Sequence, residues 1–225
     1  MYFDPLYWIM LAPCFLLSLY ASWKVKSTFA KYSKTPSLRG ETGAQVAKAI
    51  LRNEGLEQIS VEQTQGMLSD FYDPGHKVLK LSPEVYGESS VAALGVAAHE
   101  TGHAVQDKEK YGWMTLRSAL VPAANLGTMA AYPLMLLGIF MHSANLVKLG
   151  IVFFSLAVLF YFITLPVELN ASSRAVVLLK KGGLITTEEE KGVRQVLQAA
   201  ALTYLAAALT ALVQLLYFIM RSREE

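Results

Sequence analysis

Two histidines four residues apart, with a carboxylate beside the first, occur at His99, Glu100 and His103 in the run HETGH. On an α-helix positions i and i+4 share a face about one turn apart, so both imidazoles can reach one ion. Zinc is the metal such a set suits, because it accepts histidine nitrogens and carboxylate oxygens and lowers the pKa of a bound water towards 7. Glu100 is then placed to take that water's proton, and the chemistry implied is hydrolysis of a peptide bond with Glu100 as general base. The rival reading is two ordinary helical histidines and a surface glutamate. Against it, Val96, Ala97 and Ala98 precede the motif and Ala104 and Val105 follow it. Polar groups in so apolar a helix want a strong partner, and a metal is one.

Two histidines leave a catalytic zinc short of the three protein ligands it usually has. A metzincin arrangement would need Gly at 106 and His at 109, where this chain has Gln106 and Glu109. A ligand from a separate helix is therefore expected, and Glu168 is the best candidate. It follows Pro166, and Ala171, Ser172 and Ala175 on its own face are small enough to let two helices approach closely. The alternative for Glu168 is a carboxylate in headgroup water at a membrane boundary. Cys14 is the single cysteine, so neither an intrachain disulfide nor a thiolate metal cluster can form. His76 reads as a solvated turn residue and His142 as part of an external hairpin. Arg174 either stabilises an oxyanion or pairs with a carboxylate.

The elements that must hold these groups follow from local signals. Thr42 with Gln45 forms a capping box for a helix from about Gly43 to Asn53, closed near Gly55. Residues 59–63, 67–72 and 77–82 read as a small antiparallel sheet, the last two joined by a turn at Asp73, Pro74, Gly75 and His76. The segment Val78 to Leu81 is expected to be an exposed edge that takes substrate as an added strand. Ser82 with Pro83 announces a short helix, and Ser89 or Ser90 caps the metal-binding helix, which runs to about Gln106. A further helix begins just after Pro166 and ends near Gly182 and Gly183. Glu188, Glu189 and Glu190 suit a helix N-terminus.

Hydrophobic residues make up 53% of the chain and charged ones 17%, too few charges for an ordinary soluble domain. The charges are also segregated. Uncharged stretches run from Pro5 to Trp23, Ser118 to Met141, Leu149 to Val167 and Gln195 to Met220. Each is about 20 residues or more, enough to cross roughly 30 Å of hydrocarbon. Placing residues 24–117 and 168–194 in the cytoplasm leaves only Lys148, Arg221 and Arg223 of the basic residues outside. The small basic excess is accounted for by this orientation and gives no ground for nucleic-acid binding. The expected organisation is a transmembrane anchor at 1–23, a cytoplasmic zincin-like domain at 24–117, a transmembrane hairpin at 118–167, a cytoplasmic helical segment at 168–194, and a transmembrane helix with a short tail at 195–225.

The run AAHETGHAVQ from Ala97 to Gln106, with FYDPGHKVLKLSPEVYGESSVAALGV upstream and RSALVPAANLG and LPVELNASSRA downstream, resembles the YugP-like neutral zinc metallopeptidases of bacteria. The likeness covers nearly the whole chain, and four such blocks together are far more specific than HExxH. The family is similar in design to the HtpX-type membrane proteases of gluzincin type, whose zinc site is completed by a glutamate after a transmembrane helix. The resemblance implies Zn2+ held by His99, His103 and Glu168, Glu100 as base, and protein or peptide substrates. It also implies a multi-pass protein of the bacterial cytoplasmic membrane with its active site facing the cytoplasm. Many such sites carry an aspartate four residues after the ligand glutamate, where this chain has Ser172; Asn170 or Asp107 could take over that support. The reading is thus a mainly α integral membrane protein with about four transmembrane helices and a small cytoplasmic α+β domain, a metalloendopeptidase. Its rivals are an inactive metal-binding membrane scaffold and a transport component, the latter disfavoured because no acidic residue or histidine interrupts the apolar stretches.

Overall fold

The computed structural model describes residues 4–223. The chain is mainly helical, with α1 (Pro5–Ser33), α2 (Gly43–Asn53), α3 (Pro83–Tyr86), α4 (Val91–Lys108), α5 (Gly112–Phe140), α6 (Ala144–Lys181) and α7 (Thr187–Arg221). Three strands, β1 (Ser60–Gln63), β2 (Phe71–Asp73) and β3 (Val78–Leu81), lie between α2 and α3. Helices α1, α5, α6 and α7 are each long and apolar enough to cross a membrane. All four continue beyond the uncharged stretches, because a helix satisfies its own backbone and can pass from hydrocarbon into water without a break. Pro166 accordingly lies inside α6 and starts no new helix. A proline there removes one backbone hydrogen bond, and its fixed φ is already helical.

The described chain forms two compact units. The first takes α1 up to Ser22, all of α5, α6 as far as Pro166, and α7 from Leu202 onward. Its interior is built from Ala131, Met135, Ile151, Phe154, Val158 and Ala211. Small residues set the spacing of α5 and α6: a Cβ at Gly127 would stand 2.6 Å from the Phe153 carbonyl oxygen, and one at Gly150 2.8 Å from that of Ala131. Between apolar helices in lipid, such close backbone approach is a main source of cohesion. Trp8, Ile9, Phe15, Met129, Phe140 and Val152 are exposed on this unit, as a surface solvated by lipid requires.

The second unit comprises Trp23–Tyr111 and Val167–Ala201. Helix α2 has the expected bounds, and Thr42 and Gln45 make both capping-box hydrogen bonds. Its apolar face joins Val91, Leu94 and Ala98 of α4, Ala175, Val176 and Leu179 of α6, and Val193 and Leu197 of α7 in one core. The sheet departs from expectation. Its order is β1-β3-β2, with β3 parallel to β1 and antiparallel to β2. β3 is therefore the central strand with both edges paired, and it cannot take a peptide as an added strand. Its sequence, Val78-Leu79-Lys80-Leu81, suits a covered strand, and three of its four residues are buried. Asp70, just before β2, accepts the Ser82 backbone N–H at 2.7 Å and the Ser82 hydroxyl at 3.0 Å, fastening the start of α3. Ser90 caps α4 through Ala93 N–H.

Candidate metal centre

Helices α4 and α6 meet at Gly102, where a Cβ would lie 2.8 Å from the Ala171 carbonyl oxygen. Only glycine at that point lets the two backbones come so close, and the approach brings the HETGH face onto the start of the second unit's α6 segment. His99 Nε2 lies 3.2 Å from Glu168 Oε2, and His103 Nε2 lies 3.5 Å from the same oxygen. The imidazoles stand edge to face, with ring centroids 4.8 Å apart. His103 and Glu168 are buried and His99 nearly so.

One ligand atom from each of the three side chains falls within 4.8 Å of the other two, so the group could bind a metal ion. The donor set tests well for zinc. Ligands about 2.0–2.1 Å from a tetrahedral ion are roughly 3.3–3.4 Å apart, close to both histidine–glutamate spacings. Two nitrogens and one oxygen are also zinc's usual partners where three protein groups hold it.

The far sides of the imidazoles are engaged too. Ser172 Oγ is 3.2 Å from His99 Nδ1, so the residue that stands where many related sites have aspartate still touches the histidine. Gln106 Oε1 is 3.0 Å from His103 Nδ1, while Gln106 Nε2 donates to the Val167 carbonyl at 2.8 Å and to Asn170 Oδ1 at 2.9 Å. Asn170 thus acts through Gln106. Asp107 touches neither histidine; it accepts from Tyr72 at 2.7 Å and pairs with Lys77. Gln106 escaped sequence reasoning, although it sits three residues after His103, on the same helical face. Arg174 donates from Nε to Asn170 Oδ1 at 2.6 Å and pairs with Glu109 at 2.7 Å, taking the ion-pair role of its two readings. His76 is exposed in its turn against Asp73 at 2.7 Å, and His142 lies in the α5–α6 turn with a φ of 51°.

Glu100 sits beside His99 on α4 and is buried. Burial pushes its carboxyl above the ordinary carboxylate range, against the pull of the His99 and His103 imidazoles. For His103, burial acts downward, but the bond to Glu168 and the Glu100 charge outweigh it and hold the imidazole above its usual value. A carboxyl raised by burial beside two imidazoles gives the centre a group that can accept and return a proton.

An HExxH helix crossed by a glutamate-bearing helix, in a chain with four apolar helices, is an arrangement that could hold a metal ion in a membrane protein. The chain belongs to the family described as "Putative neutral zinc metallopeptidase", whose model matches residues 7–223. It is similar to the "Putative membrane protease YugP" of Bacillus subtilis (strain 168), with 50% identity over 204 residues that cover 91% of each chain. No solved structure matches.

Proposed function

We propose that the protein is a zinc metalloendopeptidase of the bacterial cytoplasmic membrane that hydrolyses peptide bonds of membrane or membrane-proximal proteins. His99, His103 and Glu168 are the ligands and Glu100 the general base. The observation that carries the reading is the convergence of two imidazole nitrogens on Glu168 Oε2 at 3.2 and 3.5 Å, with buried Glu100 alongside. Zinc, when bound, supplies an electrophile for the scissile carbonyl and a water of lowered pKa. Glu100 takes the proton of the attacking water and returns it to the leaving nitrogen. Residues 24–117 and 168–194 form the cytoplasmic part and the remaining segments cross the membrane. Glu168 follows the uncharged stretch of α6 by one residue, which favours substrates held near the bilayer surface.

The deciding comparison is zinc-loaded native protein beside Glu100→Gln, each given an unfolded membrane-protein substrate. Glu100→Gln is expected to keep zinc and lose cleavage by at least about 10²-fold, since the amide cannot accept the proton. Equal cleavage by both would remove Glu100 as base. No cleavage by native protein that carries zinc would favour the scaffold reading.

A further inference from the structure

We propose that Gln106 is a positioning residue that sets the hydrogen-bonding polarity of His103 and so keeps its Nε2 free for the metal. The inference rests on the metal-centre reading above. It begins at Arg174, whose guanidinium has donors and no acceptor. Its Nε lies 2.6 Å from Asn170, so the Asn170 atom facing it must be the oxygen. The same oxygen faces Gln106 at 2.9 Å, and the Val167 carbonyl, which can only accept, faces Gln106 at 2.8 Å. Both contacts demand the amide nitrogen of Gln106 at that end. The Gln106 oxygen is thereby turned towards His103 Nδ1 at 3.0 Å, and Nδ1 must carry the hydrogen. Nε2, the atom that faces Glu168, is left with its lone pair once the imidazole is neutral.

The side chain of Gln106 is fully buried, and both amide hydrogens and its oxygen have partners, so turning the amide over would break three contacts at once. The arrangement ties the two ligand-bearing helices together through a polarity that starts at a permanently charged residue.

The test uses full-length protein in detergent with 15N-labelled histidine; only four histidines contribute. In native protein the His103 Nδ1–H resonance should be hydrogen-bonded and slow to exchange, with or without zinc. Gln106→Met, which keeps the volume and removes the acceptor, should shift that resonance and speed its exchange while His99 is unchanged, and should weaken zinc binding about 10–100-fold. Gln106→Glu, which keeps an acceptor for Nδ1–H, should leave that resonance hydrogen-bonded although it loses the donors that face Val167 and Asn170. A role in packing alone predicts that the two variants, both close to glutamine in volume, leave the His103 resonance alike. Native zinc affinity in Gln106→Met, or a His103 Nδ1 without a proton in native protein, overturns the inference. Failure of native protein to bind zinc, or binding undiminished in His103→Ala, counts instead against the metal centre, and the resonance measured without zinc then decides the inference by itself.

Discussion

At the scale of single residues the site is a question of which groups must meet. His99 and His103 were legible because their spacing is a property of any helix, and Glu168 because it is a carboxylate on a face of small residues. Gln106 was not legible: glutamine after an HExxH motif carries no signal until the fold shows its amide between His103, Val167 and Asn170. Ser172 stood out in the sequence only as the position that lacks the aspartate of many related sites, and the fold shows that its hydroxyl still reaches His99. Glu168→Ala is expected to lower zinc affinity by at least about 10²-fold, since it removes one of the three proposed protein ligands, and to lose cleavage in proportion. Zinc titration by competition with a chromogenic chelator reads the first effect. Affinity equal to native protein would mean that Glu168 is a neighbour of the ion and no ligand of it.

At the scale of elements, contact between α4 and α6 decides whether the proposed ligands meet. Gly102→Ala would set a Cβ 2.8 Å from the Ala171 carbonyl oxygen, a backbone atom with no freedom to give way. Overpacking of this kind destabilises by about 1–3 kcal/mol, and the shift it forces should also weaken zinc binding. Gly112→Ala, which meets nothing within 4 Å, is the control and should bind zinc like native protein. Equal zinc binding by Gly102→Ala would show that the crossing has slack. The sheet supplies a second prediction. Burial raises the Asp70 carboxyl above its ordinary value, against its bonds from Ser82 and with help from the nearby Glu84 charge. A carboxyl raised on folding contributes stability that is full below its unfolded pKa and is lost as the pH rises through the folded one. Asp70→Asn lacks that loss and can still accept from Ser82. Its melting temperature relative to native protein should therefore rise from acid to neutral pH, and an offset independent of pH would refute the assignment. Helix α2 and its cap were readable because Thr42 and Gln45 act within one turn. The order of the strands was not, because β3 pairs with β1 as well as with β2, the strand that lies between them in the chain, and local alternation says nothing about which neighbour a strand acquires.

At the scale of the whole molecule the question is which side of the membrane the chemistry faces. Among the described residues four helices are long and apolar enough to cross, and their apolar faces are symmetric with respect to direction. Direction comes from the basic residues. Those nearest the ends of the uncharged stretches count most: Lys24 and Lys26 after the first, Lys108, Lys110 and Arg117 before the second, Arg174 after the third, and only Lys148, Arg221 and Arg223 at the opposite ends. Short flanking segments rich in Lys and Arg stay in the cytoplasm, whereas long segments translocate largely regardless of charge, so this juxtamembrane set decides. His99, Glu100, His103 and Glu168 all fall in the segments that the proposed orientation places inside. The native Cys14 is buried in α1, so single added cysteines can be read by an impermeant thiol reagent after Cys14→Ala. Lys34→Cys and Lys180→Cys, both at exposed positions, should be protected in intact cells and labelled after lysis, while Asn145→Cys, in the turn-proximal start of α6, should be labelled in intact cells. Labelling of Lys180→Cys from outside would reverse the orientation. It would place the four site residues on the external side and change the pool of substrates from cytoplasmic segments of membrane proteins to exported ones.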